Sequence, residues 1–235
     1  MNIDVEKEII EVPELRNRLK VFRDREHAGE VLAGMLEPFR DSNALVLGIP
    51  SGGVPIAVII ARQLHLKLDT AVANKITPRW NTEIGYGAVA FDGTTMIRQS
   101  FVITSGFSEK EVAEDTAKTL HKVQRRNQLF RGSRPFPDCR GRSVIIADDG
   151  LATGVTMQVA VEALKKAGTG QLIMAVPTGH LDSLQDLSKQ VDAIYCPNVR
   201  EGGSFAVANA YEQWTDMDES TVAAILDDFN QSDEN

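Results

Sequence analysis

Apolar residues gather in short runs at 44–49, 143–147 and 171–176, each closed by turn-forming residues and followed by a helix-like stretch. Runs of this length without polar alternation read as strands buried on both faces, the pattern of a parallel sheet. A fourth run lies at 191–196, and 66–73 adds a further strand. Between them, at 54–64 and 157–167, apolar positions recur with helical spacing, so strands and amphipathic helices alternate. The expected fold class is α/β: a Rossmann-like parallel sheet with helices on both faces, in a single domain over 1–235.

Four segments fall outside that alternation. Residues 25–39 predict a leading helix and 75–98, with several glycines, a hairpin. Residues 108–129 predict a charged helix, and 220–229 a closing helix ahead of the polar tail QSDEN. The chain shows neither an internal repeat nor a low-complexity tract.

Composition narrows the function classes. A hydrophobic fraction of 43% with 25% charged residues is that of a soluble chain with a full core. No apolar run approaches the roughly eighteen residues of a membrane span, and the opening MNIDVEKEIIEVPEL lacks the basic-then-apolar order of a signal peptide. A cytoplasmic location is expected. The net charge of -8 argues against general attraction to nucleic acid or to an acidic membrane face. One basic stretch stands out, RRNQLFRGSRPFPDCRGR, where Arg125, Arg126, Arg131, Arg134, Arg140 and Arg142 meet the single acid Asp138. It reads as a solvated connector, with an anion or partner surface as the alternative. Cys139 and Cys196 lie far apart and outside any metal-binding spacing, so both are expected as reduced thiols.

The segment VIIADDGLATGVTM at 144–157 carries the candidate chemistry. An apolar strand delivers Asp148 and Asp149 to its carboxyl end, and 150–156 turn the chain into a helix, the edge of an open α/β sheet at which ligands bind. Two adjacent carboxylates there can accept hydrogen bonds from the vicinal hydroxyls of a ribose. Ala152, Thr153, Gly154, Val155 and Thr156 then form a cradle of backbone N–H groups and hydroxyls for a phosphate at the helix N-terminus. A side chain at Gly154 is expected to obstruct close approach of the backbone.

This stretch resembles the signature by which type I phosphoribosyltransferases bind 5-phosphoribosyl-1-pyrophosphate (PRPP). FRDR at 22–25, GIPSGGVP at 48–55, IGYGAVA at 84–90 and the tail at 211–226 resemble a bacterial and archaeal subgroup of that family, so the likeness covers nearly the whole chain. The resemblance implies the type I fold, with a flexible loop at 75–98, a helical insertion and Arg-rich connector at 108–142, and a small hood with the closing helix at 197–235. It implies that Ser51, Gly52 and Gly53 bind pyrophosphate through backbone donors, although many relatives carry arginine or lysine where Ser51 stands. It also implies that Lys75, with Arg79, Trp80 and Glu83 beside it, opens a mobile loop that closes over the reacting centre. Asp148, Asp149 and Lys75 are thus the expected catalytic residues.

The implied reaction is displacement at the anomeric carbon of PRPP by a nitrogenous acceptor, with pyrophosphate leaving. Mg2+ is the implied cofactor, held by PRPP oxygens and water, with Asp148 or Asp149 as candidates for a direct contact. The residue before Thr153 is an aspartate in 6-oxopurine enzymes of the family and Ala152 here, which disfavours guanine and hypoxanthine as acceptors. Phe205, in the implied hood, is a weak candidate for stacking on the acceptor, the other reading being an aromatic buried under the closing helix. His180 follows the third strand at the ligand edge of the sheet and reads as a surface turn residue, the alternative being a residue that faces the site. The same features also suit a non-catalytic PRPP- or nucleotide-binding regulator, or a hydrolase or phosphorylase of a phosphoribosyl compound. No membrane partner is expected, nucleic acid is disfavoured, and self-association is open.

Overall fold

The central strand of the sheet, Ser143–Ala147, is buried from Val144 onward and alternates cleanly between two cores. Ile145 and Ala147 face one apolar cluster, Val144 and Ile146 the other. The strand has no polar side because helices cover both faces, as the unbroken apolar run predicts.

The computed structural model describes residues 9–81, 84–203 and 205–233. In chain order these form β1 (Ile9–Ile10), α1 (Arg25–Met35), β2 (Leu45–Gly48), α2 (Gly53–Leu64), β3 (Lys67–Thr70), β4 (Ala73–Ile76), β5 (Gly87–Ala90) and β6 (Thr95–Ile97). There follow α3 (Gln99–Ser105), α4 (Glu109–Arg131), β7 (Ser143–Ala147), α5 (Val155–Lys166), β8 (Gln171–Ala175) and β9 (Thr178–His180). The chain closes with α6 (Leu181–Ser188), β10 (Ala193–Tyr195), β11 (Asn198–Arg200) and α7 (Glu219–Asp233). Six strands make a wholly parallel sheet in the order β1-β10-β8-β7-β2-β3. α1, α2 and α7 pack on one face through Leu32, Ile56, Ile60 and Val222. α5 and α6 cover the other through Met157, Val161, Leu164 and Leu184.

Three expectations are corrected here. The run 66–73 is not one strand: Lys67–Thr70 joins the main sheet, and Ala73–Ile76 departs into a second, antiparallel sheet ordered β4-β5-β6. Lys75 therefore lies inside β4, opposite Ala88, and not at the end of a main-sheet strand. The segment 75–98 is likewise not a single loop, because Ile76, Tyr86, Ala88, Val89 and Ala90 are buried between the main body and α4. Gly87 allows this packing, since a Cβ there would stand 2.4 Å from the Met96 carbonyl oxygen. The stretch outside regular structure lies between Ile76 and Gly87, where Glu83 falls outside the described residues.

The basic stretch is the third correction. All six arginines donate to acceptors of the protein itself: Arg125 to Glu219, Arg126 to Asn74 and Ser51, Arg131 to Asp69 and the Thr70 carbonyl, Arg134 to the Arg131 carbonyl, Arg140 to Asp138 and Arg142 to the Asn43 carbonyl. Helix α4 reaches Arg131, and Arg126 and Arg131 are buried. Arg126 and Arg131 are thus internal fastenings, whereas Arg125, Arg134 and Arg140 are exposed, so the stretch is a solvated connector only in part. Helix α4 begins with a capping box, Ser108 and Glu111 exchanging hydrogen bonds with each other's backbone.

Candidate functional site

Parallel order brings the carboxyl ends of β2 and β7 side by side, so the residues that follow each strand share one edge. After β7 come Asp148 and Asp149; after β2 comes Pro50-Ser51-Gly52-Gly53, with a cis peptide between Pro50 and Ser51. The two segments touch. A Cβ on Gly52 would fall 1.8 Å from Asp149 Oδ2, and one on Gly53 would fall 2.5 Å from the Ala147 carbonyl oxygen and 2.8 Å from Asp148 Cα. Only hydrogen at both positions lets the glycine loop lie against the carboxylates.

Asp149 is held from three directions. Arg25 Nε and Nη2 donate to its Oδ2 at 3.0 and 2.8 Å, while Arg25 Nη1 donates to the Thr215 carbonyl at 2.9 Å. The same guanidinium lies 3.9 Å from the ring centroid of Trp214. Tyr211 donates its hydroxyl proton to the Asp149 carbonyl at 2.7 Å. Asp148 Oδ1 accepts the Asp149 N–H at 2.8 Å. Burial raises Asp148 well above the usual carboxylate range, and the neighbouring Asp149 charge raises it further. Burial also raises Asp149, against the downward pull of Arg25. Arg25, Tyr211 and Trp214 are not among the residues expected from the sequence.

Past the carboxylates, Gly150 lies under Val207, where a Cβ would meet Val207 Cγ1 at 2.5 Å. Leu151 is tied into the β9 segment, donating to the Thr178 carbonyl and accepting from the His180 N–H. Ala152 and Thr153 are exposed, and their carbonyls accept from Ser183 Oγ at 2.6 Å and Arg98 Nη2 at 3.3 Å. Gly154 has φ of 70° and precedes α5 without a side-chain cap, leaving the first-turn N–H groups of Val155 and Thr156 to a ligand or solvent. Glycine at 154 is favoured by its left-handed backbone. Phe205 packs edge-on against His180, with ring centroids 6.1 Å apart, and not beneath the closing helix. Lys75 is exposed, on the side of β4 shared with Ala73, and its Cδ would stand 3.0 Å from a Cβ on Gly85. Its contact is with that glycine and not with the carboxylates.

The Phosphoribosyl transferase domain family matches residues 25–209, which contain both strand ends and the α5 turn. The chain belongs to that family. A Mycobacterium tuberculosis (strain ATCC 25618 / H37Rv) protein, named as a phosphoribosyl transferase of unproven activity, is 32% identical over 209 residues. That alignment takes in 89% of this chain and 47% of the relative, so the chain spans about half the length of the curated relative it matches. Bifunctional protein PyrR of Corynebacterium diphtheriae is 28% identical over 139 residues, 58% of this chain and 55% of that one. Among solved structures, TT1426 from Thermus thermophilus superposes with a TM-score of 0.70 at 28% identity, covering 88% of this chain and 98% of its own.

Within this phosphoribosyl transferase domain, the structure brings together Ser51, Gly52, Gly53, Asp148 and Asp149, with 152–156 directly following. It leaves Lys75 on the smaller sheet and Phe205 beside His180. Among the described residues no group of three or more His, Cys, Asp or Glu is placed to hold a metal, and no helix is long and apolar enough to cross a membrane.

Proposed function

We propose that this chain binds PRPP across the joined ends of β2 and β7 and transfers its 5-phosphoribosyl group to a nitrogenous acceptor, releasing pyrophosphate. The close approach of Gly52 to the Asp149 carboxylate carries this reading, because it gives the glycine loop and the ribose-facing acids one shared surface. The 5-phosphate then sits on the amides of 152–156 at the positive end of α5. The ribose hydroxyls donate to Asp148 and Asp149, and the pyrophosphate rests on Ser51, Gly52 and Gly53. Carboxylates beneath the sugar, in their ionised form, favour the positive charge that develops at its anomeric carbon as pyrophosphate departs. Lys75 is the cation of the adjoining sheet assigned to the leaving group.

Mg2+ fits this donor set, which offers only hard carboxylate oxygens at Asp148 and Asp149. With two protein acids at hand, most of the coordination would come from substrate oxygens and water. When bound, the ion supplies charge neutralisation on the pyrophosphate.

The test is release of pyrophosphate from PRPP and Mg2+ with a panel of bases, amines and amides. Turnover with one acceptor is the expected result; PRPP binding without turnover on any acceptor would point to a regulator, and absence of PRPP binding would remove the reading. Within the panel, adenine-like, pyrimidine or non-nucleobase acceptors should exceed guanine and hypoxanthine. The methyl side chain of Ala152 cannot exchange a proton with a purine nitrogen, help typically worth about 10² to 10⁴ in rate. Efficient use of hypoxanthine would show that another group supplies the proton.

A further inference from the structure

The loop Ser51-Gly52-Gly53 carries no charge of its own, yet a pyrophosphate seated on it would bring several negative charges. Immediately behind it stands a buried guanidinium. Arg126, 5% exposed, donates from Nη2 to Ser51 Oγ at 3.0 Å and from Nη1 to Asn74 Oδ1 at 2.8 Å. Its Nε lies 3.2 Å from Glu219 Oε1. That carboxylate is shared, because Arg125 Nη2 donates to both of its oxygens at 2.8 and 2.7 Å. Two arginines thus face one acid, which leaves one positive charge uncompensated in the cluster that reaches Ser51.

The direction of the hydrogen bond matters. Ser51 Oγ accepts from Arg126, so its own O–H remains to donate, and a hydroxyl that accepts from a cation is the stronger donor for it. We propose that Arg126, reaching from α4, is a positioning residue of the anion loop: it turns the Ser51 hydroxyl toward a bound pyrophosphate and supplies the positive charge that the loop lacks. The identity of the anion rests on the phosphoribosyl-transfer reading; the presence of an anion subsite does not. A purely structural tie between α4, β4 and α7 would give a different experimental result.

Calorimetric titration of the wild type, Arg126→Lys, Arg126→Gln and Ser51→Ala with Mg2+-pyrophosphate, ribose 5-phosphate and PRPP separates the two roles. Arg126→Gln should weaken pyrophosphate and PRPP by about tenfold or more, with ribose 5-phosphate affinity held within about twofold. Arg126→Lys keeps the charge and should retain more of the pyrophosphate affinity. Ser51→Ala removes the Arg126 tie to Ser51 but keeps those to Asn74 and Glu219; it should lose a few-fold of pyrophosphate affinity alone, so it decides the matter if Arg126→Gln does not fold. Unchanged pyrophosphate affinity in both the glutamine and the alanine variants, or an equal loss of ribose 5-phosphate, overturns the assignment. A wild type that binds pyrophosphate but neither PRPP nor ribose 5-phosphate would leave Arg126 in place and remove the phosphoribosyl reading instead.

Discussion

Replacing Asp148 with asparagine should give a protein that melts at a higher temperature than the wild type and binds PRPP about 10- to 100-fold more weakly. Both effects arise from the same burial. The folded state holds the Asp148 proton more tightly than the unfolded chain does, because the carboxylate is desolvated and faces Asp149. With a folded pKa above the unfolded one, the contribution of Asp148 to stability is fully present at low pH and is lost as pH rises from the ordinary value of 3.8 through the raised one. Asparagine escapes that loss and keeps an oxygen for the Asp149 N–H. The melting difference should therefore widen with pH across this window and level off above it. Melts of both proteins as a function of pH check it; a variant that melts lower throughout would mark Asp148 as a structural anchor.

Gly52→Ala should be more damaging still. The new methyl would sit 1.8 Å from Asp149 Oδ2 and 2.3 Å from its Cγ, so the carboxylate must leave its place. Its pairing with Arg25 is largely shielded, the two side chains being 16% and 10% exposed. Disrupting a pair of that kind costs about 3–5 kcal/mol. PRPP affinity should fall by more than about 100-fold, with a matching loss in chemical denaturation. Gly34→Ala is the control, because nothing lies within 4 Å of a Cβ built there; alanine in a helix should be neutral or slightly stabilising. Normal PRPP binding by Gly52→Ala would mean that the Asp149–Arg25 geometry is dispensable.

What could be read from the chain alone was local. Strand, acids, turn and helix at 144–157 follow one another within fourteen residues, and each step has its own chemical signature. Arg25 could not be found that way, because it meets Asp149 from 124 positions away, nor Arg126, which meets Ser51 across 75. Arg126 and Arg131 look solvated in the sequence until their acceptors arrive from distant strands and a helix. The hairpin is legible but its burial is not, since Gly87-Ala88-Val89-Ala90 gives no sign of which helices will cover it. The pairing of β9 with β11, which seats the region around Phe205, joins segments too short to show a period.

The stack of Arg25 on Trp214 has a practical consequence. The chain has two tryptophans, and the other, Trp80, is 67% exposed. Indole emission depends on the charge lying on the ring face, and here that charge is the guanidinium gripping Asp149. Anything that draws Arg25 away should change the light Trp214 gives off, so with Trp80 replaced by phenylalanine the protein would carry its own optical gauge of the Arg25–Asp149 pairing and need no attached dye.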